Sequence, residues 1–158
     1  MTVGWLVVDA QQARSLARSH LAGDLPQRRR HVQGVARRAS QIAPSVAGSD
    51  DSLVCAAWLH DIGYAPEVAM SGFHPLDGAR FLAAAGVSKR LVSLVAHHSC
   101  AGLEAELRGL AVELAEFDDE HGTVRDGIAT SLPHRTVSRW PLRNGSRRSS
   151  SVMGRIIW

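Results

Sequence analysis

Five of the eight histidines in this chain fall where its helical pattern turns inward or ends: His31, His60, His74, His97 and His98. No other feature limits the possible folds as much. Burying an imidazole without a partner costs roughly a few kcal/mol. A fold that buries several must hydrogen-bond each one or bring them together. A single inward histidine is usually a hydrogen-bonded core residue. Five in one short segment point instead to a shared ion.

The helices come from apolar spacing and its punctuation. Asp9 can cap a helix running to about Leu21, with Gly23 as a stop. Pro26 suits the first position of a second helix. On it Val32, Val35, Ala36, Ala39 and Ile42 recur at helical spacing, and Pro44 and Gly48 end it. His31 lies on or beside this stripe, whereas Arg28, Arg29, Arg30, Arg37 and Arg38 mostly fall elsewhere. Asp50 or Asp51 is expected to cap a third helix from Ser52 to about Ile62. His60 there shares a face with Leu53, Ala56 and Ala57, and Asp61 follows Val54 and Ala57 at the same steps. Gly63 can stop this helix. Ala65–Phe73 reads as a loop. His74-Pro75 starts a fourth helix to Ala85, closed by Gly86. Ser88 caps a fifth, from Lys89 to about His98, and a sixth runs from about Leu103 to Phe117. No strand-like alternation of useful length appears before residue 120, so the fold class is all-α.

Length and charge set the organisation. A chain of 158 residues suits one domain. The first 126 residues carry a net charge of −3, and residues 127–158 hold six arginines and no acid. The division expected is a domain over 1–126 and an irregular Arg/Ser-rich, poorly ordered tail over 127–158. The basic character belongs to that tail, which argues against nucleic-acid binding by the core. No apolar run is long enough for a membrane span. Residues 1–10 make a poor signal peptide, since Asp9 interrupts early. Cys55 and Cys100 form no pairing motif and read as core fillers in a reducing cytoplasm.

Imidazole and carboxylate together are the donor set for Mn, Fe, Ni, Co or Zn. A divalent ion so held activates water near neutral pH and neutralises charge on a phosphoryl oxygen. An aspartate between two ions can bridge them through its two oxygens. An adjacent His60-Asp61 pair therefore supplies a terminal ligand and a bridge from one turn.

The order His31, His60-Asp61-Ile62-Gly63, His74-Pro75, His97-His98 resembles the HD superfamily in its HDIG form, over about residues 10–126. The string Gly72-Phe73-His74-Pro75-Leu76-Asp77-Gly78-Ala79-Arg80-Phe81-Leu82 is similar to small bacterial HD proteins. The resemblance implies a helical bundle around one or two divalent ions. It also implies hydrolysis of a phosphomonoester or phosphodiester, often a nucleotide. By the same resemblance His31, His60 and Asp61 match the first-metal ligands. His74 and one or both of His97 and His98 match further ligands of two-metal members. Asp61 would bridge or orient the ions. His20, His121 and His134 match nothing. Arg28–Arg30 and Lys89-Arg90 could steer a phosphate, but a solvated helix face is the expected reading.

The C-terminal part departs from the family. HD proteins complete the first site with an aspartate on a late helix. Asp126, followed by Gly127, is the first choice here, with Asp118 and Asp119 as alternatives. The acid-free tail has the composition of GC-rich coding sequence read out of frame. Suitable codons for Arg139–Arg148, shifted one frame, encode an ordinary helical sequence, and those for Gly127–Thr130 encode an aspartate. The expectation is therefore a metal-dependent phosphohydrolase acting on a small phosphorylated substrate. The alternative is a catalytically impaired HD module with a regulatory or binding role.

Overall fold

The structure is a computed structural model describing residues 6–21, 23, 25–46 and 51–119. Seven α-helices occupy these residues: α1 (Ala10–Leu21), α2 (Pro26–Ile42), α3 (Ser52–Leu59), α4 (His74–Ala84), α5 (Lys89–Ala96), α6 (Ala101–Arg108) and α7 (Ala111–Leu114). The fold is all-α. Asp126, His121, His134, the boundary after residue 126 and the irregular tail lie outside the described residues, as do Gly48 and Asp50.

Helix α1 starts as its sequence predicts. Gln12 N–H donates to Asp9 Oδ1 at 2.7 Å, and Asp9 N–H donates to Gln12 Oε1 at 2.9 Å. This reciprocal pair satisfies two amides that a helix start otherwise leaves without partners. Ala13, Ala17 and Leu21, four residues apart, form its buried edge. Pro26 sits in the first turn of α2, and Val32, Ala36 and Ala39 are its buried face. Ser88 and Asp51 stand at the N-caps of α5 and α3, but neither side chain makes a capping hydrogen bond.

Helix α3 organises the molecule. It carries no charged residue, as befits a helix surrounded by others. It packs against α1, α2 and α5, while α4 packs on α5 and on the short 3-10 turn Ile62–Tyr64. Leu59, Ile62, Phe73, Leu76, Leu82, Leu91 and Val95 fill the core between these layers. Between α2 and α3 the contacts are small: Ala36 and Ala39 meet Ala57. That seam leads to the histidines at one end of the bundle.

Several expected boundaries are corrected. Helix α3 ends at Leu59, three residues early, and His60 and Asp61 form a turn before Ile62–Tyr64. Gly63 is therefore not a helix stop. A Cβ at Gly63 would lie 2.0 Å from the His74 carbonyl oxygen and 2.8 Å from Gly78 N. Glycine is needed there because two backbones touch. Helix α5 stops at Ala96, leaving His97 and His98 beyond it. The expected sixth helix is two, broken at Gly109, whose φ is +70°. Leu110 N–H bonds Ala105 O at 2.8 Å and Gly109 N–H bonds Glu106 O at 3.1 Å, closing α6 with a left-handed glycine cap. A single parallel bridge, Leu6 to Val87, is the only strand-like pairing among the described residues. Cys55 is buried as expected, whereas Cys100 is exposed.

The Gly63 contact yields a stability prediction. Gly63→Ala must push α4 away from the Ile62–Tyr64 turn and should destabilise the chain by roughly 3 kcal/mol or more. Urea unfolding checks this. A loss below about 1 kcal/mol would show that the backbones separate easily.

Candidate metal centre

The turn after α3 delivers Asp61 into the interior, where it is 2% exposed. Its two oxygens face different groups. Oδ1 lies 3.4 Å from His60 Nε2 and 3.6 Å from His74 Nε2. Oδ2 lies 3.1 Å from Arg28 Nη1 and 3.9 Å from His31 Nε2. His98 reaches the same space from the end of α5, its Nε2 lying 3.1 Å from His74 Nε2. Two groups of donors result, His31 with His60 and Asp61, and Asp61 with His74 and His98. They share the one carboxylate.

The histidines are held as ligands need to be. His60 Nδ1 lies 2.9 Å from Ala57 O, and His98 Nδ1 lies 2.7 Å from Val95 O. A carbonyl oxygen only accepts, so each Nδ1 carries the proton. Each Nε2 is then a bare lone pair facing the cluster. Metal-bound histidines commonly have this backbone tether. Ligand atoms about 2.1 Å from one ion stand roughly 3–3.5 Å apart, and the spacings from Asp61 Oδ1 to His60 and His74 are close to that range. The donors present therefore fit a divalent ion.

Electrostatics keep the imidazoles neutral. Burial lowers the pKa of His60, with the Asp61 charge opposing it. Burial also lowers His98. Burial, with His98 close by, pushes His74 down to about 3. All three are free bases at neutral pH, the form that binds a metal. The His31 side chain is 55% exposed and stands at the rim, beside the buried stripe.

Two residues join the site that the sequence pattern did not assign to it. The Tyr64 ring stacks on His74 at 4.0 Å between centroids, and the Arg28 guanidinium lies 3.8 Å from the Tyr64 centroid. Both cannot fit on one face, so Tyr64 is sandwiched between them. Burial raises the Tyr64 phenol, which stays protonated. The solvated-face reading is thus corrected for Arg28. A usable signal existed, since Arg28 precedes His31 by three residues and so shares its side of α2.

His97 is not brought to the cluster. Its Nε2 lies 2.8 Å from Phe117 O and ties the chain after α7 to the end of α5. Asp118 and Asp119 are exposed and belong to neither donor group. His20 is no isolated surface residue, because its Nδ1 pairs with Glu67 at 2.5 Å.

The model of the HD domain family matches residues 28–135. That is more than half of the chain, which therefore belongs to the HD domain family. This is in general a family of metal-dependent phosphohydrolases, and its domains bind divalent metals. No curated protein and no solved structure matches the chain. Among the described residues, no helix is long and apolar enough to cross a membrane.

The neutral imidazoles make stability depend on pH. His60, His74 and His98 have folded values below the ordinary 6.5. Below that value the unfolded chain binds more protons than the folded one. Their contribution is therefore complete above about pH 6.5 and is lost as pH falls toward the His74 value of about 3. The urea midpoint of the metal-free chain should drop between about pH 7 and about pH 5. His74→Asn should make that drop shallower; equal slopes for the two proteins would contradict the assignment.

Proposed function

We propose that this chain hydrolyses a phosphomonoester or phosphodiester, with one or two divalent ions held by His31, His60, Asp61, His74 and His98. The observation that carries the reading is the pair of backbone-tethered imidazoles, His60 and His98, whose bare Nε2 atoms surround a buried shared carboxylate. Such a set suits Mn, Fe, Ni, Co or Zn better than ions that prefer oxygen alone. When bound, the ion supplies activated water and neutralises charge on the phosphoryl group. Asp126, outside the described residues, is proposed to complete the first group. Nucleotides enter as the substrate class from the sequence resemblance, and a cytoplasmic location from cysteine usage.

The chain's own residues do the rest. Asp61 orients the cluster from the turn behind α3. The neutral histidines add no charge that would oppose an ion. Arg28 stands at the rim with its guanidinium on Tyr64, where it can take one phosphate oxygen. Its Nη1 lies 3.1 Å from Asp61 Oδ2. Were an ion held by Asp61, the Arg28 guanidinium would be available to a phosphate oxygen.

Metal analysis of the full chain tests the reading, together with turnover of a generic phosphodiester and a nucleotide panel. Bound metal and hydrolysis are expected, both lost in Asp61→Ala. A well-folded preparation that takes up no metal and turns over nothing would sink the proposal. The departure from the family pattern around Asp126-Gly127 favours a regulatory HD module as the second reading. Nucleotide binding without turnover, unchanged in Asp61→Ala, would select it.

Arg28→Met separates the two roles of the guanidinium. Removing a competing cation should tighten metal binding. Losing the phosphate contact should lower kcat/KM by roughly 10- to 100-fold, the worth of a charge-assisted hydrogen bond. Calorimetric metal titration and steady-state kinetics read the two arms. Unchanged kcat/KM would remove Arg28 from the substrate site.

A further inference from the structure

Asp77 is a second buried carboxylate, 2% exposed, and lies outside both donor groups. It sits in the first turn of α4, three residues after His74. Its oxygens accept from Met70 N at 3.0 Å, Ser71 N at 3.0 Å, Gly72 N at 3.2 Å and Ser71 Oγ at 2.7 Å. All four donors are neutral groups of the loop that leads into α4. Ser71 Oγ also accepts from Phe73 N at 3.2 Å, so the network reaches the residue next to His74. Outside the loop, Arg108 Nη1 donates to Gly72 O at 3.3 Å. Phe73, fully buried, anchors the same segment in the core.

A buried carboxylate is costly unless its hydrogen bonds are satisfied. Here they are satisfied by one short loop, which is thereby fixed against the first turn of α4. His74 is the first residue of that helix, where fraying would otherwise be greatest. Its ring must hold two relations at once: the stack on Tyr64 and the approach to His98 and Asp61. Helices α2 and α3 place the other group without using this loop.

We propose that Asp77 is a positioning residue for His74, holding the second donor group of Asp61, His74 and His98 in register while leaving the His31–His60 side untouched. The inference rests on the two-group metal reading above. Removing the Asp77 charge releases the loop, lets the start of α4 move and withdraws His74 from the ion it shares with His98.

The test uses the full chain, its Asp77→Asn and Ser71→Ala variants, and Mn2+ titration by calorimetry. His74→Ala and His31→Ala in parallel assign which ion each group holds. Asp77→Asn should weaken the ion lost in His74→Ala by roughly 10- to 100-fold, the usual effect of removing a residue that orients a ligand. Ser71→Ala, which buries no new group, should weaken it less. The other ion should be unchanged in both. A metal-free readout accompanies this. The His74 ring protons, shielded by Tyr64 in the parent, should move toward their unstacked positions in Asp77→Asn. Equal weakening of both ions with a lowered Tm would make Asp77 a purely structural residue and overturn the proposal. So would unchanged binding and unchanged ring shifts. A parent chain that binds none of Mn2+, Fe2+, Co2+, Ni2+ and Zn2+ would defeat the metal reading itself, a failure visible before any substitution is compared.

Discussion

A carboxylate removed from water has to be surrounded by groups that replace its hydration, and Asp61 sets that demand for this molecule. The residues that answer it come from three parts of the chain: Arg28 and His31 from α2, His60 from the end of α3, and His74 from the start of α4. Each approach has its own local cause. Alanines in the seam between α2 and α3 bring His31 and His60 to ring centroids 5.3 Å apart. The absence of a side chain at Gly63 lets the turn after Asp61 rest on the His74 carbonyl. Deleting the carboxylate would leave imidazoles and a guanidinium facing one another without an anion. Deleting any one neighbour leaves a buried charge poorly solvated, the more costly error.

Much of this was legible in the sequence because burial has a period. The inward positions of His60 and Asp61 followed from their spacing to Ala56 and Ala57, and the starts at Asp9 and Pro26 from the chemistry of helix ends. What the pattern could not carry was the place where a helix gives way. Both α3 and α5 end short, and the few residues beyond them decide where His98 and His97 go. Ser99, at a φ of +56°, lies in the turn that follows. A continued helix would have put the two histidines about 100° apart on one cylinder. The turn instead sends His98 to the cluster and His97 to Phe117.

Arg28 shows a different limit. A run of three arginines reads as a solvated face because charge runs usually are one. Helical spacing does set Arg28 apart from Arg29 and Arg30, since it alone of the three lies one turn before His31 and shares its side of α2. The partner that holds Arg28 there, Tyr64, belongs to a different element, brought close by the Gly63 contact. Long-range placement of this kind leaves no trace in local spacing. The same holds for Asp77, which looks like an ordinary acid in a first helical turn until the loop before it folds back onto it.

The balance of charge around Asp61 ties these features to one kind of ligand. The described cluster offers one carboxylate, one guanidinium and four imidazoles, three of which burial keeps neutral. A divalent ion would add two positive charges beside the buried Asp61 and His60, where electrostatic interactions are stronger than in water. A donor set richer in carboxylates would hold an ion more tightly but would cancel that charge. Among the described residues one carboxylate belongs to the donor groups, with a guanidinium beside it. An anion with several oxygens, able to meet ion and arginine together, is what such a site is suited to receive, and a phosphoryl group has that form.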